Sequence, residues 1–243
     1  MNGNPERRIQ VNSLGKTVTA ASFDHTPNTE VSMYVGRIVS IARNQSGKLC
    51  AMYRVSSRSF PNRMAKEMGK GIAIVPKPGH ENDVLVNPYI AYNALRIVGS
   101  HAVVSNGSHT DPIAEKIEKG YPMRDALAAA LLGMDYEHDT LSTPRIAAVV
   151  DRLSGKAALG CIRADALLIR EFDVKPGQAF YLATYEHNSP CSTQRDDAFD
   201  VSNANEACGY ILSKGVFAKL ERPVSAICAV EHSCGFETAC RDA

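Results

Sequence analysis

The sequence predicts an α+β fold, and two observations carry that prediction. Strand-like stretches follow one another as hairpins joined by short turns. The helix-like stretches lie together, between residues 111 and 139, instead of alternating with strands as a doubly wound sheet requires. At 243 residues, 44% hydrophobic and 22% charged, the chain is long and apolar enough for one large domain, or for one domain with an appendage.

Residues 1–32 are polar, carry Gly3, Pro5, Gly15 and Pro27, and show no sustained apolar period. They read as an N-terminal extension, partly ordered at best; an alternative is that Met33 is the natural start. Residues 33–243 are expected to form a single domain. Tyr34 to Ala42 reads as a strand, Asn44-Gln45-Ser46-Gly47 as a turn, and Leu49 to Val55 as the returning strand. Leu49, Ala51, Tyr53 and Val55 alternate there at period two. Pro61 lacks an amide donor, so Tyr53 to Arg63 runs out into a loop with Arg54, Arg58 and Arg63 beside the hydroxyls of Ser56, Ser57 and Ser59. Gly71 to Val75 is a short strand closed by Pro76 and Pro78. Leu95 to Val98 and Ala102 to Ser105 flank the tight turn Gly99-Ser100.

Asp111 reads as a helix cap with Pro112 at the first helical position, and Ile113, Ala114 and Ile117 share a face until Gly120. Pro122 opens a second helix, with Leu127, Ala130, Leu131 and Met134 at helical spacing, that ends in Asp135-Tyr136-Glu137-His138-Asp139. Strands return at Ile146 to Asp151, Lys156 to Ile162, Ala166 to Glu171 and Gln178 to Thr184. A polar loop spans Glu186 to Asn203, then come a short helix from Glu206 to Leu212 and a late strand from Val224 to Val230.

Several function classes are disfavoured at once. A net charge of +1, from 27 Lys and Arg against 26 Asp and Glu, gives no electrostatic case for nucleic-acid binding. No apolar run is long enough to cross a bilayer, and no signal core follows the start, so a cytoplasmic location is expected. Seven cysteines without CxxC spacing read as reduced thiols, and His232, Cys234 and Cys240 lack the spacing of a structural zinc site. GxSxG, Walker and GxGxxG motifs are absent.

Three loops concentrate polar groups near strand ends. The arginine–serine loop suits a phosphate or another flat anion, although a run of this kind alone is more often a solvated surface. Asn87 to Asn93 carries Tyr89 and Tyr92, which could equally be packing residues. Ser105 to Asp111 enters a helix N-terminus whose amides form a plausible anion site; capping explains Asp111 but not Asn106, Ser108 and Thr110. Glu137, at a helix C-terminus where the macrodipole disfavours negative charge, becomes a proton carrier if it faces a pocket.

With these segments assembled, the chain resembles the archaeal-type IMP cyclohydrolases, the PurO family. The match runs through Met33 to Arg37, Tyr53 to Arg63, Asn87 to Asn93, Ser105 to Lys116, Asp135 to Glu137 and Thr143 to Ala147, spanning most of residues 33 to about 185. The resemblance implies a four-layer αββα sandwich like that of N-terminal nucleophile hydrolases, without the processed nucleophile; neither Asn2 nor Tyr34 could serve as one. It implies closure of 5-formamidoimidazole-4-carboxamide ribonucleotide (FAICAR) to IMP with loss of water, the final step of de novo purine biosynthesis. By motif, Arg63 and Glu137 are its catalytic arginine and glutamate, with Tyr92 close by. Ser57, Arg58, Asn93, Asn106, Gly107, Thr110 and Arg145 are the candidates for holding substrate, on chemistry more than on the match.

The expected partners are the purine nucleotides FAICAR and IMP, with no nucleic acid, no membrane, no metal and no cofactor. A homo-oligomer is left open. Two rival readings stay in view: an amide hydrolase of the same fold, and a purine nucleotide-binding protein without catalysis.

Overall fold

The computed structural model describes residues 33–69 and 71–243. The expected N-terminal extension, residues 1–32 with Asn2, lies outside the described residues. In chain order the strands are β1 (Ile38–Arg43), β2 (Leu49–Ser56), β3 (Arg63–Met68), β4 (Gly71–Pro76), β5 (Tyr92–Val98), β6 (His101–Ser105), β7 (Arg145–Asp151), β8 (Lys156–Arg163), β9 (Ala166–Phe172), β10 (Gln178–Ala183), β11 (Arg195–Asp196), β12 (Pro223–His232) and β13 (Gly235–Asp242). The helices are α1 (Asp83–Val86), α2 (Thr110–Glu118), α3 (Met123–Met134) and α4 (Ala204–Ser213).

The strands build two antiparallel sheets, β11-β10-β1-β2-β12-β13 and β3-β4-β5-β6-β7-β8-β9. This is the α+β arrangement that the hairpin runs predict. The alternation in β2 decides how the sheets pack. Leu49, Ala51, Tyr53 and Val55 point into a core shared with Ile74, Leu95, Val104, Ile146 and Leu159 of the second sheet. Cys50 and Met52, on the other face, pack under α4 with Ala207, Cys208 and Ile211. On the far face of the second sheet, Val103, Val149 and Ala158 bury Ile113 and Ile117 of α2 and Leu127 and Ala130 of α3. At Gly160 a Cβ would stand 2.9 Å from Leu131, so the absent side chain lets α3 lie close to β8.

Several boundaries differ from the sequence reading. β1 starts at Ile38 and not at Tyr34, because Gly36 takes φ +76 and a Cβ there would fall 2.0 Å from Thr184 Oγ1. Asp111 is not a cap. Thr110 closes a turn onto Gly107 O and starts α2 earlier, and the Asp111 carboxylate instead takes Asn93 Nδ2 at 2.9 Å and Arg96 Nη1. β3 and β13, both edge strands, were not legible as strands: their solvated faces carry Lys66, Glu67, Glu237 and Arg241 and blur the alternation. α4 begins at Ala204, capped by Asn203 accepting from Glu206 N at 2.9 Å. Among the described residues no helix is long and apolar enough to cross a membrane.

Candidate active site

Register brings one end of each sheet together. In the first sheet, the start of β1, the end of β2 and the end of β10 lie side by side through Ile38↔Arg54 and Ile38↔Ala183. In the second, Arg63↔Pro76, Ile74↔Tyr92 and Ser105↔Ala147 align the starts of β3, β5 and β7 with the ends of β4 and β6. Loops leaving these ends enclose a cavity of about 180 Å³, whose lining includes Tyr34, Arg37, Ser57, Arg63, Tyr89, Glu137 and Tyr185. Larger hollows lie elsewhere, one of about 560 Å³ between α4 and the end of β13, but they are open and gather no buried charge.

Arg63, only 3% exposed, is the first residue of β3, and its Nε donates to Phe60 O at 3.0 Å. That bond leaves its two terminal nitrogens for the cavity. Glu137, only 2% exposed, lines the same cavity. It lies beyond the end of α3, where Asp135 takes φ 55 and turns the chain, and Glu137 N bonds Thr143 O at 2.8 Å. Asp139 ties this loop by accepting from Thr143 N at 2.9 Å and Thr143 Oγ1 at 2.8 Å. Glu137 Oε2 meets Arg37 Nη2 at 3.4 Å, and Oε1 stands 3.7 Å from Arg145 Nη1.

Burial is the main influence on the Glu137 carboxyl and pushes it above the usual carboxylate range, against the pull of Arg37, Arg145 and Arg63. The sequence reading ascribed such a shift in part to the helix end. With Glu137 outside α3, desolvation replaces the macrodipole as the cause. For Arg37 burial works against the charge, and Glu137 together with Tyr185, Tyr92 and Tyr53 more than offsets it, so the guanidinium stays protonated.

The other predicted residues divide. Tyr92 is 8% exposed and shares a hydrogen bond of 2.5 Å with Tyr53. Ser57 lines the cavity, its Oγ accepting from Phe60 N at 3.0 Å. Arg145 is fixed by Nε donating to Asp135 O at 2.7 Å, with its guanidinium over the Tyr89 ring. Gly107 lies against Arg145. Four residues have other surroundings. Arg58 is exposed, stacked on Tyr34 and paired with Glu221 at 3.0 Å. Asn93 gives its amide to Asp111, Thr110 bonds Gly107 O and Ser105, and Asn106 bridges Pro144 O and Ile146 N.

Arg54 departs furthest from the sequence reading. It lies within β2, inside the strand expected from Leu49 to Val55, but it does not join the arginine–serine loop as an anion-binding group. It is fully buried and points away from the cavity toward α4. Its donors go to Ser56 Oγ and to the carbonyls of Ile211, Leu212, Phe217, Leu220 and Glu221. Arg37 is the residue that sequence reasoning missed as a functional one. Its only signal was its place inside the matching segment Met33 to Arg37.

Among the described residues no three His, Cys, Asp or Glu side chains gather as a metal site. The seven cysteines are free. The arrangement is therefore a small enclosed cavity with one buried carboxylate, three arginines directed at it, and tyrosine rings at the rim.

Comparison with known proteins identifies the family. The family described as IMP cyclohydrolase-like protein matches residues 34–235. A protein of Methanosphaera stadtmanae named IMP cyclohydrolase is 43% identical over 197 residues, covering 81% of this chain and 94% of the relative. One of the same name from Methanocella arvoryzae is 54% identical over 155 residues, 63% of this chain and 75% of the relative. A third, from Halobacterium salinarum, is 48% identical over 186 residues, 76% and 90% of the two chains. The chain belongs to the IMP cyclohydrolase-like protein family.

Proposed function

We propose that this protein is an IMP cyclohydrolase that closes FAICAR to IMP with loss of water. The observation that carries the reading is that Arg63 and Glu137, 74 positions apart, line one enclosed cavity. The carboxamide nitrogen and the formyl carbon are tethered on one imidazole ring, so holding the reactive rotamer removes much of the barrier. Proton traffic and charge remain. Glu137 takes a proton from the carboxamide nitrogen as the C–N bond forms. The terminal nitrogens of Arg63 stabilise the oxygen of the formyl group as it becomes an alkoxide. Glu137 returns that proton to the alkoxide. The proton on the formamido nitrogen then passes through Glu137 to the resulting hydroxyl as the C–O bond breaks, the C=N bond forms and water leaves.

The surroundings of Glu137 suit this cycle. A carboxylate raised by burial is a better base, and Arg37 at Oε2 pulls against that rise in favour of the charged form. Tyr92, bonded to Tyr53, backs the arginines from the core. The rings of Tyr34 and Tyr185, 5.9 Å apart, offer flat apolar surface to the imidazole, and Ser57 with Arg63 offers donors to the phosphate. The likeness to the αββα fold of N-terminal nucleophile hydrolases, residues 33–243 as the catalytic domain, and a cytoplasmic site of action belong to the same reading. Two sheets packed face to face, with helices on both outer faces, support the first of these.

The experiment is to supply the purified protein with FAICAR and follow the absorbance of IMP. Formation that depends on enzyme concentration is the expected result. Tight binding of the nucleotide without IMP would leave a non-catalytic binding protein.

A further inference from the structure

Glu137 presents its two oxygens to different surroundings. Oε2 meets Arg37 at 3.4 Å, while Oε1 is buried and has no hydrogen-bond partner, Arg145 Nη1 standing off at 3.7 Å. Arg145 Nη1 is likewise buried and unpartnered, and so is Nδ1 of His109, a residue the sequence reading passed over. These last two atoms both lie beside Gly107. A methyl group on Gly107 would lie 2.9 Å from Arg145 Nη1 and 3.2 Å from His109 Nδ1. Buried polar atoms are nearly always matched. With Oε1 3.7 Å from Arg145 Nη1, one donor and two acceptors without partners are complementary to a single water that accepts from Arg145 and donates to Glu137 and His109.

His109 is suited to that place. Nε2 lies 3.0 Å from Ile146 O, which puts the proton on Nε2 and a lone pair on Nδ1. The ring is fully buried, and burial together with Arg145 pushes the imidazole down to about 3, so Nδ1 stays an acceptor at neutral pH. Arg145 is the charged group facing His109, and Arg37, Arg145, Arg63 and Asp139 are those facing Glu137.

We propose that His109 is a positioning residue for the Glu137 carboxylate: through Nδ1 and one shared water it holds Arg145 Nη1 against Oε1, and so fixes the plane that presents Oε2 to the cavity. The inference rests on Glu137 as the proton carrier of the reading above.

The test separates the two ring nitrogens. His109→Gln keeps a donor near Nε2 and removes the Nδ1 acceptor. His109→Asn keeps an acceptor at Nδ1 and removes the donor to Ile146. The quantities measured are the titration of the Glu137 carboxyl in the unliganded protein, by infrared difference against Glu137→Gln, and the acid limb of kcat for ring closure. His109→Gln is expected to move both to higher pH. It should lower kcat at neutral pH about tenfold, near the worth of one hydrogen bond to a charged group, with KM little changed. His109→Asn should rescue both.

A wild-type titration of Glu137 in His109→Gln overturns the proposal. Equal shifts in the two variants also overturn it, because that pattern belongs to an anchor on Ile146 O. If His109→Gln does not fold, His109→Asn decides: an unshifted titration supports the role of Nδ1, and a shifted one defeats it. The titration needs no substrate. Failure of wild-type protein to close FAICAR would therefore sink the functional reading while this test still gave its own answer.

Discussion

Arg54 and Arg63 sit nine positions apart in a stretch that reads as one basic loop, yet the fold uses them in opposite ways. Arg54 is buried with its donors spent on one hydroxyl and five carbonyls around the end of α4. Burial alone pulls its guanidinium down to about 10, which still leaves it charged at neutral pH. Arg63, Arg37 and Arg145 are also largely buried, but they surround a carboxylate: Arg37 meets Glu137 at 3.4 Å, Arg145 stands at 3.7 Å, and Arg63 lines the same cavity. A buried arginine saturated by backbone is a structural pin. Arginines gathered around a raised carboxyl are kept for something else, since burying charges together costs stability. Four substitutions and a pH measurement probe that contrast.

The largest effect is expected at the carboxylate. Glu137→Gln keeps shape and removes basicity, so turnover should fall by roughly 10²- to 10⁴-fold, the usual worth of a general base, while nucleotide binding persists in calorimetry. Near-normal turnover would remove Glu137 from the mechanism. Arg54→Met should do the reverse. It strands five carbonyls under α4 and should cost about 3 kcal/mol or more in chemical denaturation. Activity per folded molecule should hold; a fall in kcat beyond the unfolded fraction would make Arg54 part of the site. Arg63→Lys keeps charge but loses the fork, and a loss of about tenfold or somewhat more in kcat is expected. If the rate is untouched, Arg37 is the next candidate for electrophilic assistance.

The contrast also explains what could be read beforehand. Leu49, Ala51, Tyr53 and Val55 declared β2 because both its faces are buried under layers that tolerate only apolar or fully bonded side chains. Glu137 and Arg63 were legible through the motifs around them. Arg54 reads as part of an anion-binding loop because it stands in one short run with Arg58, Arg63 and three serines. What saturates it, the carbonyls from Ile211 to Glu221, lies more than 150 positions away. Asn93, Asn106 and Thr110 are polar for a similar reason: they satisfy backbone and Asp111 where β5, β6 and α2 meet. His109 carried no local signal, since its partners Ile146 and Arg145 come from a strand that only the tertiary fold brings alongside.

The pH dependence of stability follows from the same histidine. Its pKa is about 3 when folded against 6.5 for the free side chain. The unfolded chain therefore binds a proton that the native state refuses. The contribution is fully present above pH 6.5 and is lost as pH falls from there toward 3. Stability curves at pH 6.5 and pH 5 should show His109→Asn losing about 1.5 kcal/mol less than wild type over that interval. An equal loss in both proteins would mean that His109 accepts a proton while folded.

The smallest effect is expected where the chain turns into the Glu137 loop. Asp135 takes φ 55 and ψ 179, a region that glycine occupies freely and other residues seldom do. Against the strain stands its carboxylate, which accepts from Tyr136 N at 2.9 Å and pairs with His138 at 3.2 Å near the surface. An exposed pair is worth little, so the strain outweighs it. Asp135→Gly should raise stability by about 1 kcal/mol or less, read as a shift in the denaturation midpoint. The same change frees the backbone whose carbonyl receives Arg145 Nε, and with it the arginine beside Oε1. A more stable protein with kcat down a few-fold and KM unmoved is the expected pairing. It would mean that the loop carries its strain to hold the carboxylate still. Loss of stability instead would mean that the Asp135 side chain, and not the shape of the turn, is what keeps this end of the cavity in order.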